Sequence, residues 1–185
     1  MIYFISDTHF NHKGTLKWAD GKNRNFPDIQ TMNQTIINNW NSIVKIEDTV
    51  YFLGDFAFKT SKTYAETIFW ELNGKKHLIK GNHDYNIASK FINCWESISD
   101  IKQVDFINDK GCIQEIILCH YPMLSWRHKN QGAWHLHGHT HGSLQELNKN
   151  TNRMDVSVEA INYTPISIEE VIKKLNLNKD PLEAI

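Results

Sequence analysis

The chain opens on an almost wholly apolar run, Ile2 to Ile5, that stops abruptly at Ser6 and Asp7. So short a run predicts a buried strand that delivers its last side chains to a site. Residues 10–29 are polar and contain Gly14, Gly21 and Pro27, which predicts an extended loop with little regular structure. Met32, Ile36, Ile37, Trp40, Ile43 and Val44 then recur at helical spacing, predicting an amphipathic helix over about 30–44. Thr49 to Leu53 reads as a second buried strand stopped by Gly54. Tyr64 to Leu72 reads as a helix that Gly74 ends, and Lys76 to Lys80 as a third strand.

In the second half, residues 86–94 read as a short helix and 97–107 as a strand or hairpin arm. Ile113 to Cys119 is a strongly β-type run leading into His120. Residues 121–133 are irregular, Trp134 to His137 form a short strand, and Met154 to Val158 alternate like one. Ser167-Ile168-Glu169-Glu170 has the form of a capping box and opens a final helix to about Leu177, with 178–185 as a tail. Strands alternating with helices, then a strand-rich half, predict an α/β sandwich with helices outside. Polar clusters follow the strands, where open α/β sheets place their ligand sites.

Composition narrows the classes. At 185 residues the chain is long enough for one domain, 1–185, with a proper core. A net charge of −1 gives no global electrostatic case for nucleic-acid or membrane binding. Cys94, Cys112 and Cys119 are widely spaced and form no CxxC pair, which argues for a reducing compartment and against a zinc knuckle. The first residues lack a basic leader, and no stretch approaches the roughly 18 apolar residues of a membrane span. The expected setting is the cytoplasm, with no membrane partner.

The polar clusters carry the chemistry. They read SDTH at 6–9, GD at 54–55, GNHD at 81–84, CHYP at 119–122 and GHTH at 138–141. Asp7 and His9, one residue apart, point the same way in an extended segment and can reach one cation. Asp55 can bridge two metals through its two oxygens. Asn82 is an oxygen donor beside stronger ligands, His83 can protonate a leaving oxygen, and Asp84 can orient that imidazole. His120 ends an apolar strand, and a hydrogen-bonded core histidine is its alternative reading. His139 and His141 lie between glycines that allow close backbone approach. Structural zinc would want cysteines or a helical His-x-x-x-His, and neither is present. No P-loop, Ser-His-Asp order or nucleophilic cysteine motif competes.

This ordered set resembles the calcineurin-like metallophosphoesterase superfamily, with every core motif position present between residues 7 and 141. SDTHFNHKG, MNQTIINNWN, DTVYFLGDF, WHLHGHTHG and VSVEAINYTPIS further resemble a compact bacterial and phage branch of predicted phosphoesterases. The resemblance implies a four-layer α/β/β/α sandwich of the metallophosphoesterase type and a dinuclear site. One metal would be held by Asp7, His9, bridging Asp55 and His141, the other by Asp55, Asn82, His120 and His139. His83 would be the general acid with Asp84 behind it, and a hydroxide between the metals would attack phosphorus in line. Four histidines among the ligands lean away from Mg²⁺. Mn²⁺ is favoured, with Fe, Zn, Co or Ni as alternatives.

The expected substrate is a phosphodiester, with a phosphomonoester as the alternative, of a nucleotide or other small phosphoester. The rivals are a nuclease or nucleic-acid end-processing enzyme on the same site, and a non-catalytic scaffold. Asn11 and His12 follow the first ligand pair closely enough to line the cleft. Arg24 could reach a phosphate, with a solvated arginine as the alternative. Arg127 and His128 precede the last ligands. Arg127 could grip a phosphate and Trp126 could stack on a base, against surface charge beside a buried tryptophan. His77, His135 and His137 read as structural.

Overall fold

The computed structural model describes residues 1–17, 24–85, 92–107, 111 and 113–177. They form a mixed α/β protein with two sheets. The first has five strands in the order β4-β3-β2-β1-β9, where β1 is Ile2–Ile5, β2 Thr49–Phe52, β3 Lys75–Ile79, β4 Ser97–Ser99 and β9 Ile166–Ser167. The second has four in the order β5-β6-β7-β8, namely Ile101–Ile107, Ile113–Cys119, Trp134–His137 and Arg153–Asp155.

Strands β3, β2 and β1 are parallel neighbours, as are β6, β7 and β8. Parallel neighbours end at the same edge, so Asp7, Asp55 and the 81–84 segment leave the first sheet together. His120 and Gly138 leave the second in the same way. Main-chain bonds tie the two exits: Ser6 N–H donates to Val156 O (2.9 Å), and Val158 N–H to Ser6 O (3.1 Å). Apolar side chains of both sheets, Phe4, Val50 and Leu78 from one and Ile116, Leu118 and Leu136 from the other, belong to one core cluster.

Helix α1, Ile29–Ile43, follows its periodicity. Asp28 caps it by accepting from Thr31 N–H, and Met32, Ile36, Ile37 and Trp40 are buried. Trp40 also donates through Nε1 to Asn73 O at 3.0 Å, so its one polar atom is satisfied in the core. Helix α2, Lys62–Glu71, is capped by Ser61 and buries Ala65, Ile68 and Phe69. Gly74 follows at φ +90°, a backbone angle that suits a residue without Cβ. Helix α3, Gln145–Asn148, has no periodic signal in sequence, being one turn long. Helix α4, Ile168–Leu177, opens on the expected capping box: Ser167 N–H donates to Glu170 Oε2 and Glu170 N–H to Ser167 Oγ.

Two expectations, at 97–107 and 154–158, need correction, and two more gain detail. Residues 97–107 are two strands in different sheets, because the chain turns at Asp100, and alternation alone cannot locate that change of partner. The loop after β1 includes a 3-10 turn, Lys13–Lys17, closed by Thr15 N–H and Oγ1 on His12 O. The strand expected at 154–158 ends at Asp155, because residues 156–158 instead bond to β1's exit at Ser6. Of the helix expected over 86–94, Ile92–Cys94 form a 3-10 turn and residues 86–91 lie outside the described residues, as does the tail beyond 177. Cys94 and Cys119 are free thiols, and Cys112 is not among the described residues. No helix among the described residues is long and apolar enough to cross a membrane.

Candidate metal centre

The first ligand pair reaches one place by an unexpected route. Asp7 and His9 are not extended: their φ angles are +58° and +48°, and His139 (+68°), His141 (+48°) and Asp55 (+60°) share the left-handed region. Such a conformation costs a non-glycine residue about 1–2 kcal/mol, so surrounding bonds must impose it. Asp7 N–H donates to Gly54 O (2.8 Å) and His9 N–H to Asp55 O (3.0 Å), tying the first ligand loop to the second. Two glycines permit the closeness. A Cβ on Gly138 would sit 2.2 Å from Ser6 Oγ and 2.3 Å from Asp7 Oδ2, and one on Gly81 would sit 2.3 Å from Asp55 Oδ1.

The polar atoms then sort into two sets. Asp7 is fully buried, and its Oδ2 accepts from Ser6 Oγ (2.6 Å) and His139 N–H (2.9 Å). Its Oδ1 accepts no hydrogen bond and faces His141 Nε2 at 3.5 Å and His9 Nε2 at 3.8 Å. Asp55 Oδ1 accepts from His83 N–H (2.9 Å), while its Oδ2 stands 3.6 Å from His9 Nε2 and 3.6 Å from His120 Nε2. Candidate ligand atoms of Asp7, His9 and His141 lie within 4.8 Å of one another, and so do those of Asp7, Asp55 and His120.

Proton counting says what belongs between them. His120 Nδ1 lies 2.7 Å from Leu53 O, a pure acceptor, and must donate there. In the neutral ring Nε2 is then a lone pair, 3.1 Å from Asn82 Oδ1. Two acceptors so close repel unless a proton or a cation lies against both. His141 repeats the pattern, its Nδ1 2.9 Å from Glu159 Oε1 and its Nε2 aimed at Asp7. A carboxylate behind a ligating histidine fixes its tautomer and raises its basicity. The donor set of imidazole nitrogens and carboxylate oxygens suits a divalent transition metal.

The electrostatics of the cluster agree. Burial pushes the Asp7 carboxyl up to about 8, against His141 and Ser6, with Asp55 adding to the rise. Burial, then the positive potential of Arg24 and neighbouring imidazoles, drives His9 well below the usual histidine range. Burial opposes protonation of His141 too, but the Glu159 hydrogen bond and the charges of Asp7 and Glu159 outweigh it and raise the pKa. A divalent cation against Asp7 Oδ1 would favour the ionised carboxylate that burial disfavours.

The remaining expected residues divide. Asn82 and His83 are at the site; the His83 side chain is 32% exposed, with Nε2 3.9 Å from Asp55 Oδ2, so solvent and substrate can reach it. His139 is exposed beside the second set, its ring centroid 5.1 Å from that of His120 and 4.9 Å from that of Tyr121. His12 is half-buried behind His9, Nδ1 to Nδ1 3.4 Å, and burial lowers its pKa to about 4, helped by His83 and Arg24. Asn11 spends its hydrogen bonds on Asn33 and Thr60.

Asp84 does not orient His83. Its carboxylate accepts from the backbone N–H groups of Asp55 (2.7 Å), Gly81 (2.8 Å) and Phe56 (3.0 Å), which staples the second and third ligand loops together. Arg24 neither reaches into the cleft nor lies in solvent: it is 1% exposed, holding Asp7 O, Thr8 O and Glu159. Trp126 is largely buried, donating to Ala133 O at 2.8 Å within a small cluster with Ile117, and Lys129 Nζ stands 5.1 Å from its ring centroid. Arg127 bonds to Gln103 and His128 to Glu115, both on the β5–β6 hairpin.

Sequence reasoning missed two carboxylates. Glu159 backs His141, and Asp155 staples the last ligand loop by accepting from Thr140 Oγ1 (2.6 Å), Gly142 N–H (2.9 Å) and Ser157 N–H (2.8 Å). The signals were slight: Asp155 lies in a β-type segment, where a buried acid needs a partner, and Glu159 lies in the VSVEAINYTPIS resemblance. His135 and His137 are fully buried and bonded to main-chain carbonyls, as structural residues should be.

Comparison with known proteins fits this geometry. The chain is 36% identical to an uncharacterized protein of Methanocaldococcus jannaschii over 183 residues, covering 96% of this chain and 93% of that one. It is 27% identical to the gene 66 protein of Mycobacterium phage L5, covering 84% of each. The crystal structure of a protein of unknown function from Aquifex aeolicus superimposes with a TM-score of 0.71 at 28% identity, covering 94% of this chain and 98% of that one. Residues 1–143, which contain every candidate ligand, match the family model described as calcineurin-like phosphoesterase, and the chain belongs to that family.

Proposed function

We propose that this protein hydrolyses a small phosphoester, a phosphodiester of nucleotide type in the first instance, at a dinuclear centre. The observation that carries the reading is Asp55 Oδ2, equidistant at 3.6 Å from His9 Nε2 of one ligand set and His120 Nε2 of the other. A carboxylate so placed can serve both ions. Asp7, His9, Asp55 and His141 would hold the first, and Asp55, Asn82, His120 and His139 the second, with Asp7 Oδ1 close enough to assist both. When bound, two divalent cations supply charge against the phosphate oxygens and acidify a water. Mn²⁺ is the favoured ion.

The protein's own groups do the rest. His83 lies within reach of both sets and keeps an exposed edge, the position required to protonate a leaving oxygen. The Asp84 staple and the Ser6 hydroxyl hold Asp55 and Asp7 so that their free oxygens face the ions rather than backbone donors. Phe58 packs on both His83 (ring centroids 4.3 Å) and His12 (4.5 Å), walling that side of the imidazole. The near-complete burial of Trp126 weighs against base stacking by that ring, one of the supports of the nuclease reading.

The test is a screen of metal-reconstituted protein on mono- and diesters, cyclic nucleotides and short DNA or RNA. Mn²⁺-dependent cleavage of an aryl phosphodiester, abolished by chelator, is expected. His83→Ala should lower kcat by roughly 10²–10⁴-fold while metal content is unchanged. Unchanged turnover in that variant removes His83 from the mechanism. Absence of any hydrolysis revives the scaffold reading, and oligonucleotides cleaved in preference to small esters would favour the nuclease.

A further inference from the structure

Behind the first ligand set lies a charged pair. Arg24 and Glu159 are 135 positions apart and meet through Nε and Oε1 at 2.8 Å. The guanidinium is 1% exposed. Its other nitrogens donate to main-chain carbonyls of the first ligand loop, Nη1 to Thr8 O at 2.6 Å and Nη2 to Asp7 O. The same Glu159 Oε1 lies 2.9 Å from His141 Nδ1. One carboxylate oxygen therefore joins the residue that grips Asp7-Thr8-His9 to the imidazole that completes the same set.

We propose that Arg24 and Glu159 are positioning residues that clamp the first metal's ligand segments, 7–9 and 141, into one constellation and set that site's affinity. The proposal rests on the dinuclear reading above. Three physical arguments carry it. Asp7 and His9 hold left-handed backbone angles, and a planar fork bonded to the carbonyls of Asp7 and Thr8 fixes the peptide planes between them. A lysine could not reproduce that fork. Glu159, by accepting from Nδ1, leaves His141 Nε2 as the donor atom facing Asp7. The pair is also neutral as a unit, so a buried guanidinium can stand beside a site for dications without repelling them. Take away the Glu159 charge, and both the basicity of His141 and that neutrality are lost.

The second set is built differently. His120 is oriented by Leu53 O and Asn82 belongs to the loop stapled by Asp84, so the pair reaches this set only indirectly, through the shared Asp7 and its bond from His139 N–H. The clamp thus predicts an asymmetric defect. The full chain, stripped of metal, is titrated with Mn²⁺ alone and followed by calorimetry and by the electron spin resonance of free Mn²⁺. Wild type should bind two ions. Glu159→Gln keeps the side chain's shape, and should bind one ion as wild type does and the other about 10–100-fold more weakly. In a His120→Ala background, which spares only the first set, the same substitution should weaken the remaining site by a similar factor. Arg24→Lys should reproduce the asymmetry.

Two ions bound as in wild type, or two affinities falling together with the melting temperature, overturn the clamp and leave a merely structural ion pair. Should Glu159→Gln not fold by circular dichroism, Glu159→Asp, which keeps the charge but shortens the reach, is read by the same titration with the same two outcomes. A wild-type chain that takes up no Mn²⁺ overturns the dinuclear reading itself, a result distinct from either.

Discussion

Removing the acceptor at Asp84 should unfasten the site and lower stability at once. Three backbone N–H groups, of Asp55, Phe56 and Gly81, end on its two oxygens at 2.7, 3.0 and 2.8 Å, and the residue is fully buried. A buried donor left without a partner costs about 1–3 kcal/mol. Losing all three in Asp84→Ala would cost roughly 3–9 kcal/mol, much of the 5–15 kcal/mol that holds an ordinary domain together. Asp84→Asn is the more informative change. Its amide oxygen keeps one or two bonds, while its NH2 opposes at least one backbone N–H. Relief works the other way: burial and the charge of Asp55 already raise the Asp84 pKa, so removing the charge returns part of the loss. The net expectation is about 2 kcal/mol, a fall in Tm of roughly 4–8 °C for a chain of this size. Urea and thermal unfolding of metal-free protein measure it. Metal affinity should fall too, because the left-handed turn at Asp55 is one of the things the staple imposes. If Asp84→Asn keeps wild-type stability and metal affinity but loses turnover, the staple argument is wrong and Asp84 acts through His83 after all.

Two further outcomes test the reading of buried groups. Trp126→Phe should lower stability by about 1 kcal/mol through the lost bond to Ala133 O and leave KM for any nucleotide substrate unchanged; a rise in KM would restore the base-stacking role. Lys76 is buried, its Nζ donating to Leu72 O (2.6 Å) and Gly74 O (3.0 Å), and burial lowers its pKa to about 8 from 10.5. Between these values the unfolded chain binds more protons than the folded one, so wild-type stability rises with pH across that window. Relative to Lys76→Met, wild type should gain roughly 1–2 kcal/mol between pH 7.5 and 9.5, and a flat difference in urea unfolding refutes the burial argument.

Local pattern determined a good deal of this protein. The apolar runs at Ile2–Ile5 and Ile113–Cys119 and the helical face of Met32, Ile36 and Trp40 are self-contained signals, because burial of one face is a property of a few neighbouring residues. The candidate ligands were legible for a related reason. Each sits just past a strand, and parallel strands bring their ends to one edge.

Tertiary structure alone decided what surrounds them. The pairing of Asp7 with His9 looked like a matter of extended geometry, yet it is a left-handed loop held from outside. Arg24 read as a surface or phosphate-binding arginine because nothing near it in sequence names Thr8 O, Asp7 O or Glu159 as its partners. Asp84 read as a histidine's companion because His83 is adjacent, whereas its bonds run 28 and 29 positions back to Phe56 and Asp55. Asp155 carried no motif, and Glu159 lay inside the VSVEAINYTPIS resemblance with nothing to mark it as the partner of His141. A ligand is recognisable by its chemistry, which is intrinsic to the residue, while a residue that positions a ligand is defined by its partner. Those partners become neighbours only when two sheets converge, so the candidate ligands were legible in the sequence and the contacts that surround them were decided by the fold.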